Sequence, residues 1–207
     1  MSFSNADTGN KAADPYKEKN IEVASLKDKV EDLVAFIDKS KFCMMTTRIE
    51  SSGLLASRCM ALAAKEGGGV DLIFHSNTES GKTDDLASDS DINLGFLNSS
   101  GEWASLSGKA TISTDRADVE KYYSPALKAW IGDLGDGVHD GGPSDPRICL
   151  IRVKTVTAQY AISKRTVIGG LVELAKGVAT GEAPSVNRLR YLDEAEIAQC
   201  ELQLKMC

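Results

Sequence analysis

The chain has 207 residues, 42% hydrophobic and 26% charged, which is enough for one domain with a sizeable core and typical of an ordinary globular protein. A net charge of -6 without a clustered basic run argues against nucleic acid as a partner. No apolar run approaches the roughly 20 residues of a membrane span. The five cysteines, Cys43, Cys59, Cys149, Cys200 and Cys207, are scattered and form no C-x-x-C pair. Neither a disulfide framework nor a zinc ribbon is indicated, and a reducing compartment fits best. The first 20 residues are polar and lack both a secretory apolar core and an Arg-rich transit character, so the cytoplasm is the expected location.

In chain order, residues 1–20 read as a disordered tail, followed by a single domain over 21–190. Residues 22–39 predict an amphipathic helix, with Val23, Leu26, Val30, Leu33, Val34 and Ile37 at three- and four-residue steps. Strands are expected at 42–49 and 54–63, joined as a hairpin, and at 70–76 after the Gly67–Gly69 turn. A short helix follows over 80–88, then strands at 91–97 and 102–113. Thr114 and Asp115 can cap a helix reaching about Tyr123. Ser124 and Pro125 restart a short helix that ends near Trp130. Residues 132–147, with five glycines, four aspartates and two prolines, predict a long mobile loop of functional interest. A long strand over 148–162, a helix over 167–178 weakened by Gly169 and Gly170, and an exposed helical tail over 191–207 complete the pass. Consecutive strands with peripheral helices predict an α+β domain built on an antiparallel barrel.

The chemistry concentrates between Arg58 and Lys82. An arginine on one strand, and a second strand running into His75-Ser76 and a helix start at Ser80-Gly81-Lys82, offer two cations, hydroxyls and free backbone N–H groups, which are what a phosphate needs. Taken singly, Arg58 is an ordinary edge-strand arginine and Lys82 an ordinary helix lysine. Their convergence favours the phosphate. Asp133, Asp136, His139 and Asp140 match neither an EF-hand nor a zinc spacing, and no metal is expected. Strand alternation puts Cys59 opposite Arg58, as a buried inert thiol. No catalytic acid, base or nucleophile stands out.

The sequence resembles the FMN-binding split barrels related to pyridoxamine 5'-phosphate oxidase. Within them it is most similar to the general stress protein 26 group and its blue-light-inducible members from filamentous fungi. The resemblance covers about residues 25–190. It rests on Met45-Thr46-Thr47-Arg48, Ser57-Arg58-Cys59-Met60, Phe74-His75-Ser76-Asn77, Ser80-Gly81-Lys82, Ala104-Ser105-Leu106-Ser107-Gly108, Ser124-Pro125, Lys128-Ala129-Trp130 and Asp145-Pro146. It implies a six-stranded antiparallel split β-barrel, a homodimer, and FMN at the subunit interface. Arg58 and Lys82 would hold the phosphate, with Ser76, Ser80 and His75 beside it. Arg58, Cys59, Met60 and Ala61 would run along the ribityl chain and ring. Trp103 would line the flavin, and Trp130 would stand at its mouth or in plain core. The helices at 22–39 and 124–130 offer apolar faces for dimer packing.

The chain departs from true pyridoxamine phosphate oxidases. It has Gly81-Lys82 in place of two adjacent basic residues, and it lacks their basic and aromatic C-terminal segment. Gln159-Tyr160-Ala161 also lacks the Trp that bacterial stress proteins carry after the Tyr. The implied activity is that of an FMN-dependent oxidoreductase of stress or light response. The alternatives are a flavin-buffering protein without turnover, or the same fold holding haem or a deazaflavin.

Overall fold

The computed structural model describes residues 12–204. Its framework is one antiparallel sheet of eight strands among the described residues, in the order β2-β1-β5-β6-β7-β4-β3, with β8 also paired to β7. The strands are β1 Phe42–Arg48, β2 Leu55–Ala61, β3 Ala64–Glu66, β4 Asp71–Asn77, β5 Asp91–Leu97, β6 Trp103–Ser113, β7 Ile148–Ser163 and β8 Asn187–Leu192. The fold class is the expected α+β split barrel. The sheet has two strands more than the six expected, β3 and β8. The 16-residue β7 accounts for β8: its first half pairs with β4 and its second half with β8.

Alternation decides the inside of the barrel. Cys43 and Met45 of β1, Leu72 and Phe74 of β4, Leu94 and Phe96 of β5, and Ile151 and Val153 of β7 all point into one core. Helix α2 (Leu26–Ser40), capped by Ser25 accepting from the Asp28 amide, buries Leu33, Phe36 and Ile37 in that core. Those three apolar positions are therefore used within the chain. The chain itself joins the two ends of the sheet. Leu62 donates to the Lys41 carbonyl beyond β1 (3.1 Å), and the next residue, Ala63, donates to Ile73 of β4 (2.9 Å). The following turn places Gly67, Gly68 and Gly69 all at positive φ, a run that only glycine makes without strain.

A second, smaller core lies outside the barrel. Ile73, Ile148 and Leu150 pack there against Val119 of α4 (Arg116–Tyr122), with Leu127 and Ile131 beside them. Ile131 ends α5 (Lys128–Ile131). Within 124–130 Leu127 thus packs inside the chain, whereas Trp130 stands out, 87% exposed.

Near both ends the described residues are more ordered than the sequence predicts. Residues Pro15–Asn20 form helix α1, with Asp14 as cap. The Asn20 side chain is buried and accepts from the Val186 and Asn187 amides (2.9 and 2.8 Å), so it closes the start of β8. The remainder of the expected disordered tail, 1–11, lies outside the described residues. At the other end α7 (Glu194–Leu204) is not an exposed tail, because Ile197 and Cys200 are buried. Residues 205–207 lie outside the described residues. Between them α6 (Val167–Thr180) presents Ile168, Leu171, Val172 and Val178 to solvent. No helix among the described residues is long and apolar enough to cross a membrane.

The 132–147 loop is not the unanchored segment that its composition predicts. Asp145 is fully buried and pairs with Arg147 (2.7 Å), whose guanidinium also donates to the Gly132 and His139 carbonyls. Tyr123 donates to the Gly141 carbonyl, and Arg116 to that of Asp145. The Arg147 hydrogen bonds, foremost, hold the Asp145 carboxyl down at about 2. No group of residues fit to hold a metal occurs among the described residues.

Candidate functional site

Helix α3 (Gly81–Ser88) begins where β4 ends. Ser80 is its N-cap, yet the Ser80 hydroxyl accepts from Lys82 Nζ (2.6 Å) and makes no capping bond to the helix. Lys82 Nζ also donates to Ser76 Oγ (3.2 Å). Lys82 is therefore folded back over its own helix start. A Cβ at Gly81 would meet nothing within 4 Å, so the space before the first turn is open. Cys149, the β7 partner of Ser76 in the ladder, lies on the same side, and burial pushes its thiol up.

Arg58 reaches this region from β2. It points to the barrel side of its strand and pairs with Asp85, about one turn along α3 from Lys82. Burial first, and Arg58 second, lower the Lys82 ammonium below its ordinary value. Two cations from separate elements are thus held near each other at a helix N-terminus, an arrangement that favours an anion between them. The guanidinium is fixed from behind by Thr47 Oγ1 (2.8 Å) and Asp85 Oδ2 (2.9 Å). Neither Thr47 nor Asp85 stood out in the sequence as a site residue. The signal for Asp85 was its place three residues after Lys82, on the same helix face.

The other sequence candidates are distributed by strand parity. His75 lies on the sheet face opposite Ser76, below α4 and near the Tyr122 backbone. There burial lowers its pKa and leaves Nε2 without a partner. It is not placed with Lys82. Met60 points inward with Arg58 and packs on the barrel core. Cys59 and Ala61 point outward. Cys59 is exposed rather than buried, because no element among the described residues covers the outer face of β2. Trp103 also faces outward, but on β6, three places along the sheet from β2. It lines a cleft of about 760 Å³ with Tyr16, Gln159 and Tyr191. Within one chain Trp103 is thus set apart from Arg58 by two intervening strands, and Trp130 stands exposed in α5.

An antiparallel barrel closed by a chain corner, with a cationic helix start beside an edge strand, defines a split-barrel protein. Residues 28–185 match the family described as Pyridoxamine 5'-phosphate oxidase like. The chain is 60% identical over 197 residues to Protein bli-3 of Neurospora crassa, with 94% of each chain covered. Among solved structures it resembles a Clostridium acetobutylicum protein related to general stress protein 26 of the pyridoxinephosphate oxidase family. That match has a TM-score of 0.59 and 17% identity, and covers 84% of this chain and 99% of the other. It also resembles the general stress FMN/FAD binding protein of Xanthomonas citri, with a TM-score of 0.55 and 22% identity, covering 68% of this chain and 93% of the other. At these identities the structural matches speak to the fold. The chain belongs to the pyridoxamine 5'-phosphate oxidase-like family.

Proposed function

We propose that this chain binds FMN, with the phosphate before the first turn of α3 between Arg58 and Lys82. The observation that carries the reading is the convergence of those two cations, from β2 and α3, on an open helix start lined by Ser76 and Ser80. A phosphate monoester carries close to two negative charges at neutral pH, by analogy with a phosphorylated side chain, and cations must match it when it is buried. The relatives support a flavin: the Xanthomonas citri protein is an FMN/FAD binding protein. Bound flavin would supply electron transfer, while the chain orients it and sets its electrostatics. On this reading the protein is a flavin-dependent oxidoreductase of stress or light response, working in the cytoplasm, where Cys43, Cys59 and Cys149 stay reduced. A second reading, flavin storage without turnover, is favoured by His75. The histidine nearest the site in sequence lies on the far face of the sheet. Reduction of the bound flavin by NADH or NADPH separates the two.

The flavin ring needs a wall that one chain does not bring to Arg58. We infer a homodimer through the outer face of β1, β2 and β5, where Phe42, Met44, Leu55 and Leu97 are exposed. Trp103 of the partner copy would then approach the ring, with Cys59 and Ala61 alongside.

The test is flavin fluorescence quenching with FMN and riboflavin on wild type, Arg58→Ala and Lys82→Ala. Charge-assisted hydrogen bonds are worth roughly 1.5 to 3 kcal/mol. Each substitution should therefore weaken FMN about 10- to 150-fold, at about 1.4 kcal/mol per tenfold, with riboflavin far less affected. Arg58→Ala should cost more, because a guanidinium offers a fork and lysine a point charge. Parallel loss of both flavins would overturn the phosphate assignment.

A further inference from the structure

We propose that Asp85 is a positioning residue, the carboxylate that aims the Arg58 guanidinium at the phosphate; this rests on the reading of Arg58 as a phosphate ligand. An arginine on an edge strand ordinarily samples solvent, and ordering it costs up to about 2 kcal/mol of side-chain entropy. Here the guanidinium is held at two points. NH2 donates to Asp85 Oδ2 (2.9 Å) and NH1 to Thr47 Oγ1 (2.8 Å), and the Thr47 hydroxyl donates to the same Asp85 oxygen (2.9 Å). The three groups form a closed ring of hydrogen bonds. The other carboxylate oxygen accepts from the Glu50 amide in the β1–β2 turn (3.2 Å).

Asp85 is thus satisfied wholly from outside its own helix, by β1, β2 and the turn between them. Its side chain is 7% exposed, whereas that of Arg58 is 33% exposed. Burial by itself would push the Asp85 carboxyl up. The bonds from Thr47, the Glu50 amide and Arg58 together outweigh burial and leave it below the ordinary range, so the group is an anion. A buried ion pair is poor evidence for stability, since apolar residues often do as well there. What an apolar side chain would not do is orient a fork. Of the five N–H donors of a guanidinium, the ring occupies two and leaves three for a ligand. Lys82 and Asp85, three residues apart, share one face of α3. One short helix therefore supplies the second cation directly and fixes the first through its carboxylate.

Charge alone predicts the opposite of positioning. Arg58, Lys82 and Asp85 together carry +1, and without Asp85 the site would carry +2. If Asp85 were only a counter-charge, its removal would tighten phosphate binding. If it aims Arg58, its removal loosens FMN despite the more positive site. The sign decides.

The experiment titrates FMN and riboflavin into wild type, Asp85→Asn, Arg58→Ala and the double variant, with circular dichroism as a check on folding. We expect Asp85→Asn to weaken FMN about tenfold or more, the loss of one charge-assisted bond, and to leave riboflavin within about twofold. In the Arg58→Ala background Asp85→Asn should add less than about twofold, because coupled residues are not additive. Thr47→Val, which cuts the ring but keeps its shape, should repeat the selective loss at smaller size, and it decides the matter if Asp85→Asn fails to fold. Unchanged or tighter FMN binding, additive losses, or equal losses for both flavins would overturn the proposal. If Arg58→Ala is selective for FMN and Asp85→Asn is not, only the Asp85 role falls. If Arg58→Ala is itself unselective, the phosphate reading falls and Asp85 with it.

Discussion

At the residue scale, Lys82 makes a prediction about pH. Its ammonium sits below the ordinary lysine value because of burial and Arg58. A bound phosphate favours the charged form, so FMN affinity should hold at neutral pH and decline as pH rises through the depressed value, before an ordinary lysine would titrate. Lys82→Arg should move that decline upward, since guanidinium stays charged; an unmoved decline would remove Lys82 from the clamp. Without ligand the same depression acts on stability. The unfolded state holds more protons between the depressed and ordinary values, so stability rises with pH across that window. Gly108 makes a steric prediction. It sits at the register shift between β6 and β7, and a Cβ there would stand 2.1 Å from the Lys154 carbonyl oxygen. Gly108→Ala should destabilise by about 1 to 3 kcal/mol or more, as overpacking does, seen as a lower urea midpoint.

At the element scale, the 132–147 loop turns on Asp145 and Arg147. Removing Arg147 leaves a carboxylate of 0% exposure without its cation. Arg147→Ala should cost about 3 to 5 kcal/mol, the usual effect of breaking a buried pair from one side, and should expose the loop to protease with or without FMN. Wild type should resist cleavage in both states. The Asp145 carboxyl titrates at about 2 in the folded chain, against about 3.9 for a free aspartate. Its contribution to stability is therefore complete above the free value and lost as pH falls through about 2. Asp145→Asn should flatten stability across that acid window, and an unchanged acid profile would count against the pair. Composition pointed to a loop here and could not show its frame, because Arg147, held by Asp145, donates to carbonyls 15 and 16 residues away.

At the scale of the whole molecule, the prediction is a homodimer. Sedimentation at micromolar concentration should return about twice the 22.1 kDa chain mass. Met44→Glu, placed on the exposed outer face of β1, should shift it toward the monomer and weaken FMN and riboflavin together, because the ring wall is lost while the phosphate clamp stays. A wild-type monomer that still binds FMN with full affinity would sink the shared site.

Local pattern by itself determined much of this protein. Alternation at Ile92, Leu94 and Phe96 marked β5, the three-four spacing of Leu26, Val30, Leu33 and Ile37 marked α2, and Ser80-Gly81-Lys82 after an apolar strand marked a cationic helix start. These are properties of adjacent residues, carried by backbone geometry. Tertiary structure alone decided what each pattern faces. It turned the apolar positions of α2 into the core and those of α6 into solvent, and left Cys59 exposed on an uncovered sheet face. It also set His75 away from Ser76 through the parity of β4, and brought Asp85 and Thr47 to Arg58 from 27 and 11 residues away. A long-range contact depends on which strands pair and in what register, and no window of neighbouring residues contains that information.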